Sequence, residues 1–433
     1  MNRRFNLRAP WLSRVLILCG FAAAVSLVAC QEKLEAGAAC PILCAKPSVT
    51  LKDTTVEAIA IDSSLPGFPP IGEEGPLLLA ARGDTLDTRV IFRFDSIGNT
   101  FPHPSAPADT IVTHVDSATL RIVLDTSSVV GVPKLPTTPV TIELYDVDAA
   151  TDTVAADLLP LFNSSRLLGS KSFAPESLAK DTLFLPVSTA AVLDRINNGT
   201  HLRIGLKLVS TTSTQLRIQS STSLGATLRF KPATDTAVNV VLLSKTPSDS
   251  TLTTLKNDLA DYVITAKTVI PPSNTISVGG FPGRRTYMRF DLPSRIVDSS
   301  TVLRATLTLT QFPLRGSPSA LDSVGIYPFA ITAGTVLTDI PRLMRLVSVN
   351  TVNAFDSLRV FPADSGTRRL ELVNLVRVWR NTKAEQTQRA LVLVMGAEGV
   401  RPAIAAFFSS EAGSALRPRL QLTYVPTVTL GLP

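Results

Sequence analysis

Residues 89–95 read RVIFRFD and residues 285–291 read RTYMRFD, so one chain writes nearly the same short segment twice, roughly 200 residues apart. In the first, Val90, Phe92 and Phe94 alternate with Arg89, Ile91, Arg93 and Asp95; in the second, Thr286, Met288 and Phe290 take the same places. A period of two with bulky apolar residues on one side is the pattern of a half-buried β-strand. Three further segments follow in the same order in both halves. Ser117–Leu124 (SATLRIVL) matches Arg304–Gln311 (RATLTLTQ), and Val140–Val147 matches Asp322–Phe329. Thr182–Leu208 lies over Arg369–Met395 without a gap, with Leu183 opposite Leu370 and Leu208 opposite Met395. A last pair, Ser220–Pro232 and Ser409–Pro426, closes the series. Five matches in fixed order imply a tandem duplication.

Each copy is dominated by short strands with Pro, Gly, Ser and Asp between them, and Asn197-Asn198-Gly199 offers the left-handed residue that ends a helix. The expected fold is therefore all-β: two tandem antiparallel jelly-roll-type β-sandwiches, each with one short helix. The expected limits are 48–235 for the first copy and 236–426 for the second, joined near Ala233–Val238, with a tail at 427–433.

The first 29 residues stand apart. Arg3, Arg4, Arg8 and Arg14 precede an uncharged, mostly apolar run from Val15 to Ala29, too short for a comfortable membrane span but suited to a secretory signal. It ends in Leu27-Val28-Ala29-Cys30, which resembles the bacterial lipobox: small residues before the cut fit the peptidase, and the Cys30 thiol takes the lipid. The reading is a lipoprotein signal peptide over 1–29, then a lipidated cysteine and tether over 30–47. The alternative is an ordinary secretory peptide with Cys30 incidental. Gln31 rather than Asp follows the cysteine, which in Gram-negative sorting permits export to the outer membrane. A lipid-anchored envelope protein is expected, with the membrane as its first partner. Removing the signal takes four Arg and no acidic residue with it, so the net charge falls from +7 to +3. No block of Lys and Arg interleaved with aromatics remains, so nucleic acid is not an expected partner.

Cys40 and Cys44, in CPILC, are the other cysteines outside the signal; a small disulfide loop in an oxidising envelope is one reading and two free thiols the other. His103, His114 and His201 are scattered without metal-ligand spacing, so neither a metal site nor a cofactor is expected. No G-x-S-x-G, H-E-x-x-H or G-x-x-x-x-G-K-[ST] motif is present, and a catalytic site is not expected.

Four carboxylates, Asp146, Asp148, Asp152 and Asp157, gather after a strand; they read either as turn residues or as a calcium loop, the turn being favoured because the D-x-D-x-D-G order is missing. Arg93 with Asp95, and Arg289 with Asp291, read as ion pairs on a sheet face or as an anion-binding groove. Trp379, the one Trp outside the signal, reads as a core anchor rather than a sugar platform, while Tyr262 and Tyr287 are less committed to strand patterns than Tyr145, Tyr327 and Tyr424.

The order of an R-x-x-x-R-F-D strand, an A-T-L strand, a helix-bearing middle and a closing S-S-E-A…R-P-R-L-Q-L-T-Y resembles the DNRLRE-type domain of secreted and surface proteins, also treated as a carbohydrate-binding module family. The second copy carries the resemblance through Arg289, Phe290, Asp291, Ala305, Thr306, Leu307, Trp379, Glu411, Arg417, Pro418 and Tyr424. The first retains Arg93, Phe94, Asp95, Ala118, Thr119 and Leu120. The family's W-T-E…T-W-N middle has no Trp here. The resemblance implies a non-catalytic β-sandwich module, in some members a polysaccharide binder. The expected partners are the membrane and either another envelope protein or a polysaccharide.

Overall fold

The computed structural model describes residues 51–426, except 96, 103–106, 127–134, 149–153, 221–223, 233–237, 244–258, 317–321, 332–355, 382 and 384–388. The signal segment, the tether with Cys30, Cys40 and Cys44, the join at 233–237 and the tail lie outside these residues, as do His103 and Asp152.

The chain is all-β and antiparallel. Its first half holds β1 (Lys52–Phe68), β2 (Leu77–Arg82), β3 (Leu86–Phe94), β4 (Thr100–Phe101), β5 (Thr110–Ile111), β6 (Val115–Val123), β7 (Val140–Asp146), β8 (Leu167–Phe173) and β9 (Thr182–Pro186). Helix α1 (Thr189–Asn198) follows, then β10 (Leu202–Val209), β11 (Thr214–Ile218) and β12 (Thr227–Pro232). After β13 (Val240–Leu243) come β14 (Asp261–Lys267), β15 (Thr275–Gly279), β16 (Gly283–Phe290), β17 (Ser300–Phe312), β18 (Val324–Ile331), β19 (Leu358–Val360) and β20 (Gly366–Glu371). Helix α2 (Val373–Asn381) precedes β21 (Ala390–Met395), β22 (Ile404–Phe408) and β23 (Arg419–Pro426).

The order repeats strand for strand. One sheet runs β11-β2-β3-β10-β7-β8; within the largest sheet the run β22-β15-β16-β21-β18-β19 is its counterpart. A second sheet runs β13-β12-β6-β9, and β1-β23-β17 with β20 on β17 answers it. Two apolar cores fill these frames in a sandwich-like way. One gathers Phe92, Phe94, Ile204 and Leu144 from the first sheet with Leu120, Leu185 and Leu228 from the second; the other gathers Met288, Phe290 and Leu391 with Leu307, Leu370 and Leu422. Phe94 and Phe290 are both fully buried in matching places.

The edges of the two halves are exchanged. The first described strand, β1, pairs with β23 through Lys52–Glu57 and with β16 through Ala58–Phe68, so it joins the ten-stranded sheet of the second half. Reciprocally, β13 pairs with β12 and β14 with β3, completing the first half. The registers agree in detail: Asp62 faces Met288 as Asp261 faces Phe92, and Leu65 faces Arg285 as Ile264 faces Arg89. Both ladders also bulge at the same place, between Pro66 and Phe68 and between Thr265 and Lys267. The limits drawn at 235/236 therefore do not follow the sheets. Each sequence copy begins with a strand that hydrogen-bonds in the other half.

Two of the matched segments slip. Leu120 faces Leu185, and Leu307 faces Leu370, so Leu185 rather than Leu183 is the counterpart of Leu370. Likewise Leu206 faces Leu144 while Leu393 faces Pro328, which places β18 two residues from the sequence match. A slip of two keeps every side chain on its own face, so alternation alone does not detect it.

Helix α1 forms as its sequence implies. Ser188 caps its start by accepting a hydrogen bond from the Ala191 amide, and Gly199, at φ 61°, ends it in the left-handed region. Val192 and Ile196 face the core. Helix α2 buries Leu375, Val376 and Trp379 in the same way. One-turn helices at Ala155–Leu158, Pro175–Leu178 and Ser294–Val297 add to the single helix expected in each half.

Candidate functional site

The strand exchange brings the end of β1 close to β14. Strand β1 leaves its ladder at Gly67-Phe68, where a cis peptide leads into Pro69, and β14 passes nearby through Val263–Lys267. The turn between β15 and β16, with a second cis peptide at Phe281-Pro282, closes the third side. Between them lies a half-open cleft of about 390 Å³, which also touches Ile71, Glu74 and Ala155. Its wall is mostly apolar, and its size is that of a small-molecule site.

Glu74 is the cleft's buried carboxyl. It is 7% exposed, and its Oε2 accepts a 2.6 Å hydrogen bond from the Gly72 amide. Burial pushes its carboxyl up to about 7, against the opposing pull of backbone amides at Gly72, Glu74 and Val263; the nearby Asp261 pushes in the same direction as burial. Lys267 stands at the mouth with its ammonium 2.9 Å from Asp84, and each holds the other in its charged form. A buried carboxyl that titrates near neutrality in an apolar cleft is a marker of a functional site.

No motif in the sequence points to this cleft. The lining comes from four separated stretches, 67–74, 155, 263–268 and 281–282, and no local motif spans them. The one signal available was the tripeptide Gly-Phe-Pro, written at 67–69 and again at 280–282.

The groups that did stand out in the sequence are committed elsewhere. Asp146 accepts from Arg195 at 2.7 Å and lies 3.6 Å from Arg166; Asp148 lies 2.8 Å from His201 Nε2 and 3.5 Å from Arg203. The Asp148 amide also donates to the Asp146 carboxylate, an Asx turn. The turn reading thus fits Asp146 and Asp148 better than a calcium loop, because their carboxylates already face cations. Among the described residues no group of three or more His, Cys, Asp and Glu could hold a metal.

Arg93 and Asp95 form a buried ion pair at 2.7 Å, not an open groove. In the second half Arg389, 2% exposed, donates to Asp298 at 2.8 Å and to the Leu292 carbonyl at 3.0 Å. Trp379 is 1% exposed and belongs to the second core. Tyr262 and Tyr287 are fully buried beside the exchanged strands, in outer-face clusters with Ile91 and Phe162 and with Phe68 and Val392. Tyr327, expected in a strand pattern, lies in β18 and is 37% exposed. Arg89 and Arg285, at the same strand position, each stack on a ring: Arg89 at 4.5 Å from the Phe162 centroid, Arg285 at 4.2 Å from that of Phe68.

No family model matches this chain, and no curated protein does. Among solved structures, a protein of Parabacteroides distasonis carrying the description "putative secreted protein" aligns at 9% identity over 86% of this chain and 99% of its own, with a TM-score of 0.23. A structure of infectious bursal disease virus, Gx strain, aligns at 13% identity over 88% of this chain and 76% of that one, with a TM-score of 0.11. Scores at this level carry no argument about fold or function.

Proposed function

We propose that this protein is a lipid-anchored, non-catalytic lipoprotein of the cell envelope, whose two halves are jelly-roll-type sandwiches of the DNRLRE-like kind and act as one rigid body in surface or structural contacts. The outer membrane is its proposed site. Support comes first from the sequence order of basic segment, apolar run, LVAC and tether. The observation that carries the structural role is the placement of β1. It begins at Lys52, five residues beyond the end of the tether at Pro47, and is hydrogen-bonded to both β23 and β16 of the second half. Ladder bonds run across a strand, so a pull from the N-terminal side loads many of them in shear at once.

Polysaccharide binding is the weaker reading. Flat aromatic platforms serve that purpose, and Trp379, Tyr262 and Tyr287 are all buried. The anchoring is tested by Cys30→Ser. The variant is expected to lose fatty-acid labelling and to partition into the aqueous phase; a variant that still labels overturns the lipoprotein reading. Binding of the full chain on a glycan array would shift the role towards the polysaccharide reading.

A further inference from the structure

The cleft at the strand exchange has a chemistry that the anchoring role does not use. Its wall is apolar: Ile71, 43% exposed, presents the largest open face, with Pro69 and Pro282 at the cis bonds, over the buried Phe68, Ile264 and Phe281. Its one deeply buried ionisable group is Glu74, which makes no ion pair with any described residue. The charged groups around it are Asp261 on β14, of the same sign, and, at the mouth, Lys267, which is engaged by Asp84 and attracted by Asp87. The charge that acts on Glu74 from Asp261 is thus of its own sign, and Lys267 is already engaged by Asp84. A carboxylate in such surroundings is costly until a cation joins it. A volume of about 390 Å³ admits a small organic molecule rather than a bare ion or a folded partner.

We propose that this cleft binds a small organic cation with an apolar body, an alkyl- or arylalkylammonium, its charged head against Glu74 and its body against Ile71, Pro69 and Pro282. The ligand supplies the counter-charge that the fold omits, and its body displaces water from the apolar wall. An anion of the same shape meets repulsion from Glu74 and Asp261, and an alcohol gains only the apolar part.

The test is calorimetric titration of the full chain with phenethylammonium, 2-phenylethanol and 3-phenylpropanoate, at pH 6 and pH 8. The ammonium keeps its charge over that range, whereas Glu74, titrating at about 7, does not. Phenethylammonium is expected to bind more tightly than the alcohol at pH 8 and to gain about tenfold in affinity from pH 6 to pH 8, the alcohol staying constant. Glu74→Gln is expected to remove both the preference and the pH dependence while leaving alcohol binding intact, which also reports that the cleft is still formed. Ala155→Phe, which fills the cleft from its rim, is expected to weaken both ligands. The proposal is overturned if the alcohol or the carboxylate binds as well as the ammonium, if the pH dependence survives in Glu74→Gln, or if none of the three binds at millimolar concentration.

Discussion

The two halves share a strand order, yet they are closed by different pieces of chain. The second half is completed by one strand, the 17 residues of β1, which pairs with β23 along its first part and with β16 along its second, within a single ten-stranded sheet. The first half is completed by two strands in the same registers, β13 and β14, separated in sequence by residues 244–260. A strand position is thus defined by the hydrogen-bonding edge it fills, whether the chain arrives there continuously or in two parts. The comparison also shows why neither half is closed by its own first strand. An unpaired edge is a liability, and here each half lends a strand to cover the other's.

The largest expected effect comes from removing that loan. A fragment spanning 259–433 lacks β1, so β16 and β23 lose the partner strand that Lys52–Phe68 supplies. It is expected to show no cooperative thermal transition alone and to regain one when a peptide of residues 51–68 is added. A fragment that melts cooperatively without the peptide would show that the exchanged strand is dispensable.

Next in size are the matched core phenylalanines. Phe94→Ala and Phe290→Ala each empty a fully buried site and should each cost about 3–5 kcal/mol. Independent halves would confine the damage to one of them. Exchanged strands couple them, so hydrogen exchange is expected to show lost protection in both halves from either substitution, within one unfolding transition. Protection lost only in the mutated half would break the coupling argument.

The Arg89 and Arg285 positions sharpen the contrast further. Arg285 makes a bidentate ion pair with Glu398, both groups under 10% exposed, whereas Arg89 pairs with the more exposed Asp87 at 3.3 Å. Glu398→Ala leaves a buried guanidinium unpaired and is expected to cost about 3 kcal/mol. Asp87→Ala is expected to cost about 1 kcal/mol or less. Chemical denaturation of the two variants measures the difference, and equal costs would mean that the two positions are not distinguished by burial.

The last contrast is one of pH. The loop from Pro69 to Pro76 carries Glu74, while the corresponding loop of the second half, 268–274, holds no carboxylate. The folded-state carboxyl of Glu74 sits at about 7, above its unfolded value, so the folded form holds a proton that the unfolded form has lost between about pH 4.5 and 7. Its contribution to stability therefore falls as pH rises through that window, by about 2 kcal/mol between pH 5 and 8. Glu74→Gln should flatten this part of the stability curve, as read from denaturant midpoints. An unchanged slope would place the titration elsewhere.

Much of the fold was legible because β-structure writes itself as alternation. RVIFRFD and RTYMRFD, SATLRIVL and RATLTLTQ carry matching periods, and in the fold they are the matching strands β3 and β16, and β6 and β17. Gly199 was legible as a helix stop because few residues accept its backbone angle. Register was not: in β7 with β18 and in β9 with β20 the counterparts lie two residues from the sequence match, since a slip of two leaves the apolar face unchanged. The aromatic residues divided similarly. Trp379 could be placed in the core from its helix, but the burial of Tyr262 and Tyr287 depends on strands that arrive from the other half.

What the sequence determined by itself is local: strand faces, a helix and its cap, and the repeated order of segments, all of which are set by interactions among near neighbours. What only the tertiary structure decided is which edge each first strand fills, and with it the cleft. Pairing β1 with β16 joins residues more than 200 positions apart, and no pattern within either strand names its partner. Glu74 acquires its raised proton affinity in the same way, because a carboxyl is desolvated by whatever packs over it, and here that is β14 and its own loop.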